Sequence, residues 1–120
     1  RFLGWREDTP ALFAACDLFV CPSRHEPLGN VVLEAWAQDV PVIAADSMGP
    51  GTLINHMDSG VLVPVDDSDS LARAIRAVID DYELAEHIVR RGREVYDAEF
   101  TEQQVVARYL EFFQSIVTKT

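Results

Sequence analysis

Two short apolar runs separated by one helical pattern constrain this chain more than any other feature. Leu18-Phe19-Val20-Cys21 is apolar throughout and is stopped by Pro22, and Val40-Pro41-Val42-Ile43-Ala44 repeats the pattern further on. Runs this short with no polar alternation read as strands buried on both faces, and Pro41 is tolerable near a strand's beginning. From Asn30 to Gln38, Val32, Leu33, Trp36 and Ala37 recur at helical spacing, with Glu34 on another face. Strand, helix, strand in that order points to a parallel sheet with helices on its faces.

The rest of the chain extends this α/β pattern. Thr9 followed by Pro10 forms a cap and first turn for a short helix reaching Ala15. Gly60-Val61-Leu62-Val63 is a third strand, and Asp46 to Gly51, with two glycines and a proline, reads as a turn. Beyond Ser70, Leu71, Ile75, Val78 and Ile79 line one face of a helix, while Leu84, Ile88 and Val95 mark another that Gly92 weakens. In the last helix Thr101 and Gln104 fit a capping box, and Phe100 and Val105 fit the staple around it. Its stripe, Val105, Tyr109, Phe112 and Ile116, is assigned to the core. Three or four strands can be counted, fewer than the usual sheet of about five to six. The remaining strands are expected upstream of Arg1, and the start without Met reads as that of an excised piece.

At 120 residues the chain, 1–120, is expected to be a single domain. Ten basic against twenty acidic residues give a net charge of −10, which repels polyanions and excludes nucleic acid as a partner. The acidic runs at Asp66, Asp67 and Asp69 and at Asp80 and Asp81, like the basic cluster Arg90, Arg91 and Arg93, read as solvated helix surroundings. Cys16 and Cys21 lack the spacing of a zinc or disulfide framework and are expected to be reduced core thiols of a cytosolic protein. No apolar stretch is long enough to cross a bilayer, and the start is not a signal peptide.

The polar segment from Ser23 to Asn30 leaves the first strand where ligands of open parallel sheets bind, outside the carboxyl ends of the strands. Gly29 permits close backbone approach, and the free N–H groups at Asn30 and Val31 carry the positive end of the helix dipole, which makes a phosphate site. Glu34 lies four residues beyond Asn30 on the same helix face, about 6 Å further along the axis. That reach suits a ribose beside a diphosphate, because an ionised carboxylate can accept from both hydroxyls of a cis-diol. Glu26 precedes the helix, on the side where a sugar carried by the diphosphate would lie. The competing reading makes Glu34 a surface helix residue and Glu26 a loop carboxylate paired with Arg24. Arg24 either reaches the diphosphate or pairs with Glu26. His25 either polarises a donor oxygen or is a packing and hydrogen-bonding residue. Met48 to Thr52 ranks second as a ligand contact, against a purely structural turn.

Residues 23 to 35, Ser-Arg-His-Glu-Pro-Leu-Gly-Asn-Val-Val-Leu-Glu-Ala, resemble the Glu-x7-Glu signature of the GT4, or group 1, glycosyltransferases, a large GT-B family. Phe2-Leu3-Gly4-Trp5, Ala15-Cys16-Asp17-Leu18-Phe19-Val20, Pro41-Val42-Ile43-Ala44 and Gly60-Val61-Leu62-Val63-Pro64 match the family's usual order and spacing. The resemblance implies a partial Rossmann-like doubly wound sheet, the C-terminal half of a GT-B fold, with a long final helix. It also implies transfer of a sugar, with retention, from a nucleotide-diphosphate sugar such as a UDP- or GDP-sugar to an acceptor hydroxyl. Glu26 would contact the donor sugar, Glu34 the ribose, and the backbone at Leu28, Gly29, Asn30 and Val31 the diphosphate, with Arg24 and His25 beside it. No metal and no cofactor is implied, because the helix dipole and basic side chains neutralise the phosphates. The acceptor, a sugar or lipid-linked glycan, would be bound by an N-terminal domain absent here, so the chain alone is expected to be inactive. A cytoplasmic location is expected, with peripheral contact at the inner face of the membrane. The final helix often crosses back in such proteins to brace the first domain, which would expose some of Tyr109, Phe112 and Phe113. The family commonly has glycine where this chain has Asp39, and a glutamate near Thr52. The rival is a non-catalytic nucleotide- or partner-binding α/β module, since fold alone does not determine function.

Overall fold

The computed structural model describes residues 1–119. Its framework is a three-stranded parallel sheet in the order β1 (Phe19–Cys21), β2 (Val42–Ala45) and β3 (Val61–Val63). Phe19 pairs with Val42, and Ile43 with Val61. All three strands therefore end at one edge. The central strand β2 is buried at every position, as its unbroken apolar run requires.

Because successive side chains of a strand point to opposite faces, the sheet supports two cores. On one face Cys21, Val42 and Ala44 pack with Val32, Ala35 and Trp36 of α2 (Asn30–Ala37). On the other, Ile43, Val61 and Val63 pack with Ala74 and Val78 of α4 (Ser68–Asp80) and Ile88 of α5 (Tyr82–Glu99). A short α1 (Thr9–Ala14) precedes the sheet, and α6 (Glu102–Val117) follows it. The doubly wound α/β arrangement with a long last helix is as expected from the sequence.

Local expectations fare less evenly. The helix cap lies at Asp8 and not Thr9, and the Asp8 carboxylate is taken by Arg6 at 2.7 and 2.5 Å. The expected turn from Asp46 to Gly51 is largely helical, forming α3 (Met48–Leu53) after an extended Ser47. Pro50 lies in the first turn, where a helical N–H has no partner within the helix and its loss costs nothing. Gly92 does not interrupt α5; it is buried, and a Cβ there would lie 2.5 Å from the Trp36 ring. Ile79 is 67% exposed, so the buried stripe of α4 runs through Ala74 and Val78. Cys16 is exposed and donates to the Leu12 carbonyl, whereas Cys21 is the buried thiol expected. The stripe assigned to the core in α6 is largely uncovered, with Tyr109, Phe112 and Ile116 exposed and Val105 half-buried.

Several residues of the acidic and basic runs have partners. Asp67 and Asp81 cap α4 and α5 by accepting from the N–H groups of Ser70 and Leu84. Arg91 holds Asp58, and Arg93 holds Asp39 at 2.8 and 3.0 Å and also the Ala37 carbonyl. Asp39, with φ of 56°, occupies the left-handed region that explains a glycine preference at this position.

Candidate functional site

The shared carboxyl edge of the sheet gathers three exits: Pro22 to Gly29 after β1, Asp46 and Ser47 after β2, and Pro64 to Asp67 after β3. The Asp46 N–H donates to the Val63 carbonyl at 2.8 Å, joining the second exit to the third strand. Arg24 spans from the first exit to the third and pairs with Asp66. Neither alternative foreseen for Arg24 included that partner, and the expected pairing with Glu26 is absent among the described residues. Asp66 keeps the Arg24 guanidinium more firmly protonated than an isolated arginine, chiefly through their hydrogen bond.

The β1 exit ends in a turn built around Gly29, whose φ of 74° lies where a side chain is strained. Gly29 is the N-cap of α2, and among the described residues no side chain caps the helix start. The positive end of the helix therefore opens at the loop edge beside Leu28, Asn30 and Val31. Leu28 is 72% exposed, so its apolar side chain stands on the rim and leaves the backbone to line the turn. Val31 is half-buried against the α2 core. Behind the turn, the Gly49 N–H of α3 donates to the Glu26 carbonyl at 2.7 Å.

Glu26 is half-buried before the turn, and Glu34 is exposed one helical turn past Asn30. Neither carboxylate is paired or hydrogen-bonded among the described residues, although Asp8, Asp39, Asp58, Asp66 and Asp67 all are. Glu34 also borders a small cleft of about 150 Å³ with Thr9 and Pro10 of α1 and Tyr96 of α5. His25 is exposed and likewise without a partner among the described residues. Glu26, Leu28, Gly29, Asn30 and Val31 thus lie in the loop and first turn of one helix, with Glu34 one turn further along it and Arg24 and His25 in the loop before it. A larger hollow of about 960 Å³ lies by Leu18 and Pro41, at the opposite edge of the sheet. The first turn of α5 lines it, but that helix start is capped by Asp81 and carries Glu83, so the open, uncapped start of α2 at the carboxyl edge is the better place for an anion. Among the described residues no group of three or more His, Cys, Asp and Glu side chains is placed to hold a metal ion.

Sequence reasoning missed the closeness of Gly49 to the Glu26–Gly29 turn. The glycines around Pro50 were a visible signal, but one equally compatible with a loop. It also missed Asp66 as the partner of Arg24, because the two lie on different exits and only the strand order brings them together.

Comparisons with known proteins agree with this architecture. Residues 1–95 match the family model described as glycosyl transferases group 1. The chain is 39% identical over 115 residues to the lipopolysaccharide core biosynthesis glycosyltransferase LpsE of Rhizobium meliloti, covering 96% of this chain and 34% of that protein. It is 37% identical over 119 residues to LpsD of the same organism, covering 99% and 35%. Among solved structures, Anabaena Alr3699/HepE in complex with UDP superposes with a TM-score of 0.91 at 33% identity, over 96% of this chain and 32% of HepE. The C-terminal domain of the group 1 family protein LpcC from Francisella tularensis superposes at 0.76 with 26% identity, over 85% of this chain and 52% of that one. The chain thus spans about a third of the length of LpsE and LpsD. With a family model matched over residues 1–95, relatives 39% and 37% identical over nearly its whole length and a parallel sheet that superposes on HepE, the chain belongs to the group 1 glycosyltransferases and corresponds to a C-terminal portion of their GT-B fold.

Proposed function

We propose that the full-length protein is a retaining glycosyltransferase and that this chain holds its nucleotide-sugar donor. The observation that carries the reading is the uncapped start of α2 at Gly29, flanked by two carboxylates, Glu26 and Glu34, without partners among the described residues. The N–H groups at Leu28, Gly29, Asn30 and Val31 receive the diphosphate, and the helix dipole stabilises it as a leaving group. Glu34 accepts from the ribose hydroxyls and Glu26 from hydroxyls of the donor sugar, which holds the anomeric carbon at the cleft. Arg24 and His25 flank the diphosphate, Arg24 with its position set by Asp66. No metal is invoked, since the phosphates meet backbone donors and basic side chains. HepE has been solved with UDP and with UDP-glucose, which favours a UDP-sugar here over a GDP-sugar. LpsE and LpsD are named for lipopolysaccharide core biosynthesis, which favours a sugar or lipid-linked glycan acceptor, bound by a part of the protein outside this chain. No helix among the described residues is long and apolar enough to cross a membrane. We place the enzyme on the cytoplasmic side, in peripheral contact with the membrane that carries such an acceptor.

The test is titration of the full-length protein with nucleoside diphosphates and nucleotide sugars, together with turnover. Glu34→Ala weakens UDP and UDP-sugar alike. Glu26→Ala leaves UDP bound but weakens the sugar-bearing donor and slows transfer. Affinity and turnover unchanged in both variants would falsify the assignment.

A further inference from the structure

Two glycines from different segments meet behind the proposed phosphate turn, and only one needs to be glycine for its backbone angles. Gly29 has a positive φ; Gly49, buried in the first turn of α3, does not. Helix propensity also gives no reason for glycine at position 49, since alanine is more favourable in a helix. Space does. A Cβ on Gly49 would collide with the Gly29 nitrogen and would lie 2.6 Å from the Leu28 carbonyl carbon and 2.7 Å from the Glu26 carbonyl oxygen. These are backbone atoms, so no side-chain rotation relieves the overlap, and the turn itself has to move. The 2.7 Å bond from the Gly49 N–H to the Glu26 carbonyl makes the contact directional as well as close. Gly51 in the same helix provides the contrast. Its Cβ would meet a carboxylate oxygen of Asp46, the end of an exposed side chain that can swing aside.

We infer that Gly49 is a positioning residue of the donor site, whose bare backbone sets the path of Glu26 to Gly29 and so aims the N–H groups of the turn and the Glu26 carboxylate. The inference rests on the donor reading above and deepens it. The body of α2 is anchored independently. Trp36 donates its indole N–H to the Ser59 carbonyl at 3.0 Å and packs against Gly92 of α5. Glu34 rides on that anchored body. Moving the turn therefore separates the phosphate and sugar contacts, which shift, from the ribose contact, which stays.

The experiment compares the full-length protein with its Gly49→Ala and Gly51→Ala variants by calorimetric titration with UDP and UMP. GDP and GMP are used if neither uridine nucleotide binds. Gly49→Ala is expected to weaken UDP by about tenfold or more, the scale of a small misplacement in a preorganised site. UMP, which keeps the ribose contact but has a single phosphate, loses much less, and Gly51→Ala retains both affinities. An unmodified protein that binds none of these nucleotides overturns the donor reading, and this inference with it. A nucleotide-binding protein whose folded Gly49→Ala variant keeps its UDP affinity, or loses UDP and UMP equally, overturns the role of Gly49 alone. If Gly49→Ala does not fold, hydrogen exchange on the unmodified protein decides. UDP, far more than UMP, should slow exchange across 47–53 together with 26–31, and no UDP effect on 47–53 overturns the inference.

Discussion

At the residue scale, one buried indole does much to place α2. Trp36 is 1% exposed, its N–H is bonded to the Ser59 carbonyl, and the Ser59 hydroxyl in turn accepts from the Asn55 N–H. Trp36→Phe removes the donor and leaves a buried carbonyl unsatisfied, at a cost of about 1–3 kcal/mol. Urea unfolding measures it. Gly92→Ala sharpens the same point, because helix propensity alone predicts stabilisation by about 1 kcal/mol. With the Trp36 ring only 2.5 Å from the new Cβ, overpacking of about 1–3 kcal/mol should prevail, and the variant should unfold at lower urea. A Gly92→Ala protein more stable than the parent would show that α5 can withdraw from α2 freely. Trp36 was legible as an apolar helix position; its bond to Ser59 was not, because it depends on how the α3–β3 connection folds back. Asp39 illustrates the converse. Its left-handed backbone is unusual for a residue other than glycine, and Arg93, from a distant part of α5, holds its carboxylate.

At the scale of elements, strands and long helices followed from pattern and the short ones from contacts. β1, β2, α2, α4 and α6 lie within a residue or two of their expected bounds, since period and burial repeat along each. The six-residue α3 carries too few residues for a period to show, and its glycines and proline read locally as a turn. Its helical form is consistent with the exit it packs on. The caps tell a similar story. Asp67, read only as a solvated acid, accepts both the N–H and the hydroxyl of Ser70. Its carboxyl is held below the ordinary range, first by the backbone bond from Ser70; Asp58 is held low first by its bond from Arg91. For each, the folded-state pKa lies below the unfolded one. Their stabilisation is therefore present above the unfolded value and is lost as pH falls through the folded value. The thermal midpoint should accordingly drop as the pH is lowered below about 4, the ordinary aspartate range. Asp67→Ala should lower the midpoint at neutral pH and flatten this acid slope, which thermal melts across a pH series would register. A slope identical to the parent's would remove Asp67 as a contributor.

At the scale of the molecule, the chain measures 56 × 29 × 29 Å, elongated for its size. Along α6, Tyr109, Leu110, Phe112 and Phe113 are each more than half exposed. Contiguous apolar surface of this kind marks an interaction face, and the partner expected for it is another domain of the full-length protein. Phe112→Asp should therefore lower the melting temperature of the full-length protein by several degrees yet leave residues 1–120 alone unaffected or less prone to self-association. Paired melts and light scattering compare the two, and equal effects in both would refute the bracing role. Residues 1–120 expressed alone should also give no sugar transfer above background in an assay with donor and acceptor.

The sequence by itself determined the α/β class, the parallel sheet and the two glutamates at the helix start, because burial periodicity and the order of short motifs are properties of neighbouring residues. The tertiary structure decided what depends on residues far apart in the chain. Among the described residues it paired Arg24 with Asp66 and not with Glu26, left Glu26 and Glu34 as carboxylates without partners, and pressed Gly49 against Gly29. Each of these follows from three strand exits converging on one edge, a relation between segments that no local pattern records.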